Sequence, residues 1–212
     1  MSQAPPTLSI VTPCYNAAHF VGRTIESVRA QTCKDWELVV VDDGSTDDPG
    51  AVIGQYLRAD PRVRLLRQAN GGVAHARNSG FRACSPGSRY LLFLDADDCP
   101  LPTMLERLVS YLESQPQVRM TFCDFSLMDE EDRPIPESSH RNGPDSRYVP
   151  WGPAARRLPP DHPETPFVAI FGLAIIIPSI SMIRRYAYEE AGGWDESFGH
   201  VFEDTDLFLR IA

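Results

Sequence analysis

A short apolar run that ends abruptly in acids constrains this chain more than any other stretch. Residues 90–94 (YLLFL) are bounded by polar residues on both sides, a pattern typical of a short strand buried on both faces of a sheet. Three carboxylates follow at once, those of Asp95, Asp97 and Asp98. At the carboxyl end of a buried strand, these groups would lie in the crevice where open α/β sheets bind ligands.

The spacing of these acids permits two interpretations. Asp95 and Asp97 are two positions apart, so in an extended chain both side chains point to one side and can share a cation. Asp is also a common turn residue, and a solvated acidic turn after the strand is the alternative. The rest of the chain has to decide between a metal site and a turn.

Strand-like and helix-like segments alternate along the first 125 residues. Predicted strands start near positions 8, 36, 63, 90 and 118, and helical patterns separate them. This alternation is typical of the α/β class. It predicts a Rossmann-like, mostly parallel central sheet with helices on both faces and right-handed crossovers. The second strand, residues 36–41, also ends in acids, because Asp42 and Asp43 follow it directly.

The second part of the chain is less regular. Residues 128–166 show no clear periodicity and are predicted to form a long loop. Beyond them we predict a buried segment over 167–177, a strand over 180–183, a helix over 186–191 and a last helix that starts near Glu203. That helix has no stop signal before Ala212, so we expect the chain to be truncated there. At 212 residues the chain is expected to form a single domain.

Composition narrows the partners and the compartment. A net charge of −9 disfavours a nucleic-acid partner, because binding to a phosphate backbone depends on clustered Lys and Arg. The five cysteines are odd in number and widely spaced, which favours a reducing cytoplasm over a disulfide framework. The amino terminus lacks the features of a signal peptide, and the apolar stretch 167–177 is too short to span a bilayer. We therefore expect no membrane span, and any peripheral membrane attachment would lie beyond Ala212.

The loops that usually bind phosphate directly are absent from the sequence. The first predicted strand runs into PCYN, residues 13–16, where a dinucleotide-binding protein would carry G-x-G-x-x-G. The sequence also contains no G-K-[ST] of a Walker A loop. A phosphorylated ligand would then need a cation, and Asp95 and Asp97 offer the hard oxygen ligands that Mg²⁺ or Mn²⁺ prefers.

Six short motifs occur in the order in which one known family carries them. They are IVTPCYN at residues 10–16, VDDGSTD at 41–47, NGG at 70–72 with ARN at 76–78, LDADD at 94–98, GGWDE at 192–196 and ED at 203–204. With these motifs the sequence resembles the family 2 glycosyltransferases of the GT-A fold over about residues 7–212. The resemblance implies a single GT-A domain, with a nucleotide-binding half over about 7–125 and an acceptor-side half over about 126–212.

The resemblance also implies which residues hold the donor nucleoside. In similar proteins the loop at Pro13, Tyr15 and Asn16 lies against the nucleoside. The acids Asp42 and Asp43 complete this site, and one carboxylate accepts a hydrogen bond from the base ring. Whether Asp42 or Asp43 makes that contact stays open at this point, and a plain Asp-Gly turn is the alternative for both.

A second group of residues is implied on the diphosphate side. Asn70, Arg77 and Asn78 match the family segment that lines the nucleotide and the diphosphate, and a guanidinium suits phosphate oxygens. The alternative is that Arg77 forms an ion pair with a surface acid while Asn78 caps a turn.

The resemblance divides the acids after residues 90–94. In the D-x-D pattern of the family, Asp95 tends toward the ribose or the sugar and Asp97 toward the metal, so Asp97 is the firmest metal ligand and Asp95 its partner. Asp98 is expected to be structural. The implied cofactor is Mn²⁺ or Mg²⁺.

Glu203 and Asp204 resemble the acidic pair of the family, in which the Asp takes the proton from the acceptor hydroxyl. The resemblance implies that Asp204 is the general base of one in-line displacement that inverts the anomeric configuration. Trp194, Asp195 and Glu203 would border the sugar and the acceptor. The alternatives are that the two acids only offset the positive end of a helix, and that Trp194 is a core residue.

The implied function is transfer of a sugar from a UDP-sugar to a hydroxyl of an unknown acceptor, such as a glycan, a lipid-linked sugar or a small molecule. A nucleotide-sugar-binding module without turnover is the principal alternative, because related proteins usually continue past the last helix. A nucleotidyltransferase is disfavoured because no Gly-rich, Lys-containing loop follows the first strand. An aspartyl phosphatase would carry its D-x-D after the first strand rather than the fourth.

Overall fold

A central sheet with helices on both faces organises the protein. The computed structural model describes residues 4–129, 133, 135, 177–198 and 202–212. Within these residues the strands are β1 (Leu8–Cys14), β2 (Trp36–Asp43), β3 (Val63–Gln68), β4 (Tyr90–Phe93), β5 (Met120–Phe122) and β6 (Ser181–Arg184). The helices are α1 (Val21–Arg29), α2 (Pro49–Ala59), α3 (Val73–Ala83), α4 (Met104–Ser114), α5 (Arg185–Ala191) and α6 (Glu203–Ile211). A 3-10 turn, Pro178–Ile180, precedes β6.

The strand order across the described sheet is β3-β2-β1-β4-β6-β5. β1 pairs in parallel with β2 and with β4, and β2 pairs in parallel with β3. β6 lies between β4 and β5 and is antiparallel to both. The predicted α/β class with a mostly parallel sheet is therefore confirmed. The alternation of elements did not predict that an antiparallel strand from the second half of the chain would separate β4 from β5.

The sheet divides the core into two layers because successive side chains of a strand point to opposite faces. Ile10, Leu38 and Leu92 pack with the apolar sides of α1, α2 and α4 on one face. Val11 and Val39 lie on the opposite face, where residues of α3, α5 and α6 cover them. Every residue of β2 is buried, which fits the apolar run LVVV at residues 38–41.

Helix α3 approaches the sheet closely, and this approach sets the position of the residues at its start. A Cβ atom on Gly80 would lie 2.3 Å from Cγ1 of Val11 and 3.0 Å from Cγ2 of Val41. Only glycine permits this contact between the helix and β1 and β2. As a result, the amino-terminal turns of α3 lie beside the carboxyl ends of the central strands.

The predicted element bounds agree with the structure in most places. β2 continues through Asp42 and Asp43, and β3 continues to Gln68, so both strands are longer than predicted. β5 covers only Met120–Phe122 of the predicted 118–125. The predicted loop over 128–166 and the apolar segment over 167–177 lie outside the described residues, apart from positions 128, 129, 133, 135 and 177. Within the described part of the chain, none of the helices is both long and apolar enough to cross a bilayer.

Candidate functional site

The carboxyl ends of β1, β2 and β4 meet at one edge of the sheet. The parallel register pairs Cys14 with Asp42 and Val11 with Phe93, so the segments that follow these strands lie side by side. Strand order reverses at β1, since β2 and β3 lie on one side of it and β4 on the other. Ligand sites of open α/β sheets form at such a reversal. The predicted acids that follow β2 and β4 and the loop that follows β1 therefore share one edge.

The loop after β1 is joined to the loop after β2 through Asn16. Its main chain has a positive φ of 52°. Its Oδ1 accepts hydrogen bonds from the main-chain N–H of Thr46 (2.9 Å) and from the Thr46 hydroxyl (3.1 Å). The Asn16 N–H donates to Oγ of Ser45 at 3.1 Å. Asn16 therefore shapes the loop, while the side chain of Tyr15 is 54% exposed at the same edge and open to a ligand.

The carboxylate of Asp43 is occupied by the turn that leads into α3. Oδ1 accepts from Nε2 of Gln68 at 2.7 Å and from the N–H of Gly71 at 2.9 Å. Oδ2 accepts from the N–H of Gly72 at 2.9 Å. With 3% of the residue exposed, Asp43 is a buried anchor for this turn. Asn70 lies on the same turn, exposed, and its N–H is close to Gly44.

Asp42 keeps more open acceptor capacity than its neighbour. Its Oδ1 accepts from the N–H of Ser45 at 3.0 Å. Its Oδ2 faces Nε of Arg67 at 3.8 Å, which is too long for a hydrogen bond, and the Arg67 side chain is 62% exposed. The structure thus separates the two acids that the sequence left equivalent.

A buried arginine joins two candidate acids that are distant in the sequence. The side chain of Arg77 is only 4% exposed; Nη2 donates to Oδ1 of Asp95 at 2.9 Å and Nη1 donates to Oε1 of Glu203 at 3.2 Å. The guanidinium carbon lies 4.4 Å from the ring centroid of Trp194. Arg77 was expected on the diphosphate side; the structure shows it buried between the turn after β4 and the start of α6.

The acids after β4 differ in exposure and in partners. Asp95 is partly exposed and holds the Arg77 ion pair through one oxygen. Asp97 is exposed, and no hydrogen bond or ion pair to its side chain occurs within the described residues. Burial raises the pKa of Asp98 to about 6, and the negative charges of Asp95 and Asp97 add to the effect of burial. A hydrogen bond with the Ser179 hydroxyl partly offsets this rise.

These oxygens fit a divalent cation that also binds a substrate phosphate. Mg²⁺ and similar ions are usually held by one or two carboxylates together with phosphate oxygens, rather than by a complete protein cage. Both oxygens of Asp97 and Oδ2 of Asp95 are available for such binding, since no hydrogen bond among the described residues occupies them. Over the same residues, no group of three or more His, Cys, Asp or Glu forms a ready-made metal cage.

The acidic pair at the start of α6 faces two ways. Glu203 points inward to Arg77 and its side chain is 12% exposed. Oδ1 of Asp204 accepts from the N–H of Thr205 at 2.6 Å and from the Thr205 hydroxyl at 3.2 Å. These bonds orient the Asp204 carboxylate and leave Oδ2 free of hydrogen bonds from the described residues. Phe202, which precedes the pair, has a positive φ of 70°.

Asn78 is engaged away from the nucleotide-side residues. Its Nδ2 donates to the carbonyl of Trp194 (2.9 Å) and to Oε1 of Glu196 (2.8 Å). Its Oδ1 accepts from the hydroxyl of Tyr188 (2.8 Å) and from the N–H of Trp194 (3.1 Å). The structure therefore does not bring Asn78 to the nucleotide side, because these four bonds use its amide to hold the loop after α5.

Trp194 and Asp195 are adjacent in sequence but lie in opposite environments. Trp194 is 3% exposed, and its ring meets Phe93 edge to face at a centroid distance of 5.2 Å. It is a core residue rather than an open face for a sugar, which corrects the expectation that it borders the acceptor. Asp195 is exposed, and the hydrogen bond from Ser197 holds the pKa of its carboxyl below the usual range.

Two residues that contact the acidic turn were missed in the sequence. The hydroxyl of Thr24 donates to its main chain, and the hydroxyl of Ser179 accepts from it. Neither belongs to a motif, and only the tertiary structure brings them to the turn. Their hydroxyls gave no signal because Thr and Ser occur in every kind of segment.

Comparison with known proteins identifies the family and the fold of this chain. The sequence model of the family described as Glycosyl transferase family 2 matches residues 9–192. The chain belongs to glycosyl transferase family 2. One relative in this family is the uncharacterized glycosyltransferase EpsJ of Bacillus subtilis (strain 168), which is 38% identical over 120 residues, 57% of this chain and 34% of EpsJ.

Solved structures of other transferases share the fold. S. aureus TarS 1-349 in complex with UDP-GlcNAc has a TM-score of 0.69 and 17% identity, over 97% of this chain and 53% of that one. The mannosyltransferase PcManGT from Pyrobaculum calidifontis, in complex with GDP-Man and Mn²⁺, has a TM-score of 0.67 and 20% identity, over 95% of this chain and 51% of that one. At these identities the likeness shows the GT-A fold. The chain spans between 31% and 55% of the length of the first curated relatives.

Proposed function

We propose that this chain forms the donor-binding and catalytic part of a metal-dependent, inverting glycosyltransferase that moves a sugar from a UDP-sugar to an acceptor hydroxyl. The observation that carries the proposal is the contact of Arg77 with both Asp95 and Glu203. Through this one guanidinium, the acids after β4 lie beside the acidic pair at the start of α6. This contact supports the proposal that a cation site for the leaving diphosphate and a general base for the acceptor act on one substrate.

The donor nucleoside is proposed to bind over the loop after β1, against Pro13 and Tyr15, with the carboxylate of Asp42 accepting a hydrogen bond from the ring N–H of the base. Asp42 is preferred because the oxygens of Asp43 are already occupied by the turn before α3. Asn70 is proposed to line the diphosphate side. The bound UDP-GlcNAc of TarS and the bound GDP-Man of PcManGT support a nucleotide-sugar donor, and the choice of UDP is part of the proposal.

Asp97 and Asp95 are proposed to hold Mn²⁺ or Mg²⁺ with the donor diphosphate, and the Mn²⁺ of PcManGT supports this assignment. When bound, such a cation would neutralise charge on the leaving diphosphate. Asp95 would bind through Oδ2, since Oδ1 is engaged by Arg77. Asp98 would keep its structural place behind the turn.

Asp204 is proposed to act as the general base. The acceptor oxygen attacks the anomeric carbon, its proton passes to Oδ2 of Asp204, and the bond from that carbon to the diphosphate oxygen breaks in the same displacement. One such displacement inverts the anomeric configuration. The bonds from Thr205 to Oδ1 support the role, because they orient the carboxylate without occupying the second oxygen.

Two substitutions test the proposal. Asp97→Ala is expected to abolish Mn²⁺-dependent binding of UDP, measured by equilibrium dialysis, whereas Asp35→Ala removes an exposed carboxylate before β2 and should leave binding unchanged. Asp204→Asn is expected to keep UDP binding and to lose transfer or slow hydrolysis of a UDP-sugar. Unchanged Mn²⁺-dependent binding in Asp97→Ala would reject the metal assignment.

The second candidate is a nucleotide-sugar-binding module without turnover. The chain matches 34% and 55% of the length of two curated relatives, so the activity of those whole proteins is a proposal for this chain. Binding of UDP with no hydrolysis or transfer in the unsubstituted chain would select this alternative. A cytoplasmic location is also proposed, and the odd number and wide spacing of the five cysteines support a reducing compartment.

A further inference from the structure

Two buried hydroxyl groups, on α1 and in the turn before β6, hold the main chain of the acidic turn. Oγ1 of Thr24, on α1, donates to the carbonyl of Ala96 at 2.7 Å. The N–H of Asp95 donates to Oγ of Ser179 at 3.0 Å. Ala96 lies between the two proposed metal ligands, and the second bond is made by the N–H of Asp95, the first of those ligands.

Thr24 uses its hydroxyl in an unusual way for a helical threonine. It is fully buried on the apolar side of α1, with Val21, Ile25 and Val28. A threonine hydroxyl in a helix can bond a carbonyl three or four residues earlier in the same helix. Here it bonds the carbonyl of Ala96 instead, so a buried polar group on the core side of α1 is satisfied by the turn after β4.

Ser179 reaches the turn because β6 is antiparallel to β4. The register pairs Leu92 with Met182, and continued by three residues it brings Ser179 opposite Asp95. Ser179 is 3% exposed, accepts from the N–H of Asp95 and is hydrogen-bonded to the carboxyl of Asp98. One hydroxyl therefore ties the first and the last acid of the turn together.

The side chain of Asp97 depends on these restraints more than that of Asp95 does. Asp95 has a further anchor in Arg77. Asp97 has no hydrogen bond or ion pair within the described residues, so the direction of its side chain is set by the main chain around it. That main chain is held at the Ala96 carbonyl and by the bond from the Asp98 N–H to the Asp95 carbonyl, at 3.2 Å.

We propose that Thr24 and Ser179 are positioning residues for the divalent cation, which they serve by fixing the turn that presents Asp95 and Asp97. The inference rests on the metal site of the proposed function. Groups that orient metal ligands typically change metal affinity by about 10- to 100-fold when they are removed. Loss of metal affinity should raise the Mn²⁺ concentration that UDP binding requires. UDP binding without metal should not change.

The experiment measures the Mn²⁺ concentration that half-saturates UDP binding, by equilibrium dialysis with labelled UDP, and repeats the binding in EDTA. Thr24→Val and Ser179→Ala are each expected to raise that concentration about 10- to 100-fold, with binding in EDTA unchanged. Thr24→Ser keeps the hydroxyl and should restore the original metal requirement. No turnover is needed for any of these measurements.

Two matched variants control for loss of a buried hydroxyl as such. Thr12 is also fully buried, and within the described residues its hydroxyl has no hydrogen-bond partner, so Thr12→Val should behave as the unsubstituted protein. Ser181 is fully buried two residues from Ser179, and its hydroxyl donates to the carbonyl of Ile177. Ser181→Ala should leave the Mn²⁺ requirement unchanged.

The outcomes separate this inference from the proposed function. If the unsubstituted protein binds UDP in a Mn²⁺-dependent way and both Thr24→Val and Ser179→Ala keep its Mn²⁺ requirement, the inference is overturned while the proposed metal site stands. If Mn²⁺ has no effect on UDP binding by the unsubstituted protein, the metal site and the inference both fail. Circular dichroism checks folding, and if Thr24→Val does not fold, Ser179→Ala decides alone.

Discussion

The carboxyl ends of β2 and β4 both carry acids, but the protein holds these acids with different kinds of partner. At β2 the carboxylate of Asp43 accepts from neutral donors only, two main-chain N–H groups and the amide of Gln68. At β4 the carboxylate of Asp95 accepts from Arg77, a buried cation that also pairs with Glu203. The first arrangement holds one turn in place, whereas the second joins two segments that are distant in the sequence.

The acidic motifs at the two strand ends each contain two kinds of residue. At each strand end, one acid has its oxygens engaged by the fold, Asp43 at β2 and Asp95 in part at β4. A neighbouring acid keeps more acceptor capacity: the Asp42 carboxylate at β2 accepts one hydrogen bond, and that of Asp97 at β4 accepts none from the described residues. The engaged acid shapes the site, and the open acid is the better candidate to contact a ligand.

The largest loss of stability is expected on removal of the Arg77 guanidinium. Arg77→Met should lower the free energy of unfolding by about 3 kcal/mol, because removing one partner of a buried ion pair leaves an uncompensated charge. The lower part of the usual range applies because the Asp95 side chain is about one third exposed and can be hydrated, whereas Glu203 is nearly buried. Chemical denaturation measures the change.

The matched control for Arg77 is Arg82 on the same helix, which is exposed and, within the described residues, donates to the hydroxyl of Ser79. Arg82→Met should change the free energy of unfolding by less than about 0.5 kcal/mol. Arg77→Lys keeps the charge but cannot bridge two carboxylates with a planar fork. A normal stability in Arg77→Lys combined with a lost affinity for UDP would indicate a direct diphosphate contact and contradict the bridging role.

A smaller loss of stability is expected at Asp43, whose carboxylate accepts from neutral donors. Asp43→Ala should lower the free energy of unfolding by about 2 kcal/mol, because the N–H of Gly72 and the amide of Gln68 lose a buried acceptor. Gly71 is exposed, so water can replace its bond and limit the cost. Asp43→Asn keeps one acceptor oxygen, so its free energy of unfolding should lie between those of Asp43→Ala and the unsubstituted protein. An Asp43→Ala protein as stable as the unsubstituted chain would remove the distinction between Asp43 and Asp42.

Most of the fold could be predicted from the sequence, since strand and helix periodicities are local properties. The alternation of apolar runs and amphipathic segments identified β1 to β4 and α1 to α4 and the α/β class. The place of β6 between β4 and β5 could not be predicted. It depends on pairing between segments about ninety residues apart, and such long-range pairing leaves no periodic signal in either strand.

The candidate site was predictable as a set of residues and not as a set of roles. The motifs named Asp42, Asp43, Asp95 and Asp97, but which oxygens stay open depends on main-chain donors such as the N–H groups of the turn before α3. Main-chain groups are present at every position, so their involvement cannot be seen in the sequence. For the same reason Asn78 resembled a nucleotide contact, although its amide bonds the main chain of Trp194.

The smallest change in stability, with the clearest change in binding, is expected at Asp42. Asp42→Ala removes one hydrogen bond, from the Ser45 N–H, so the free energy of unfolding should fall by about 1 kcal/mol or less. If the open oxygen accepts from the base, the loss of a hydrogen bond to a charged group should weaken UDP binding by about tenfold or more. Equilibrium dialysis in EDTA measures this loss without interference from the metal site. Equal loss of UDP binding in folded Asp42→Ala and Asp43→Asn would show that both acids contact the base, since Asp43 would then do more than hold its turn.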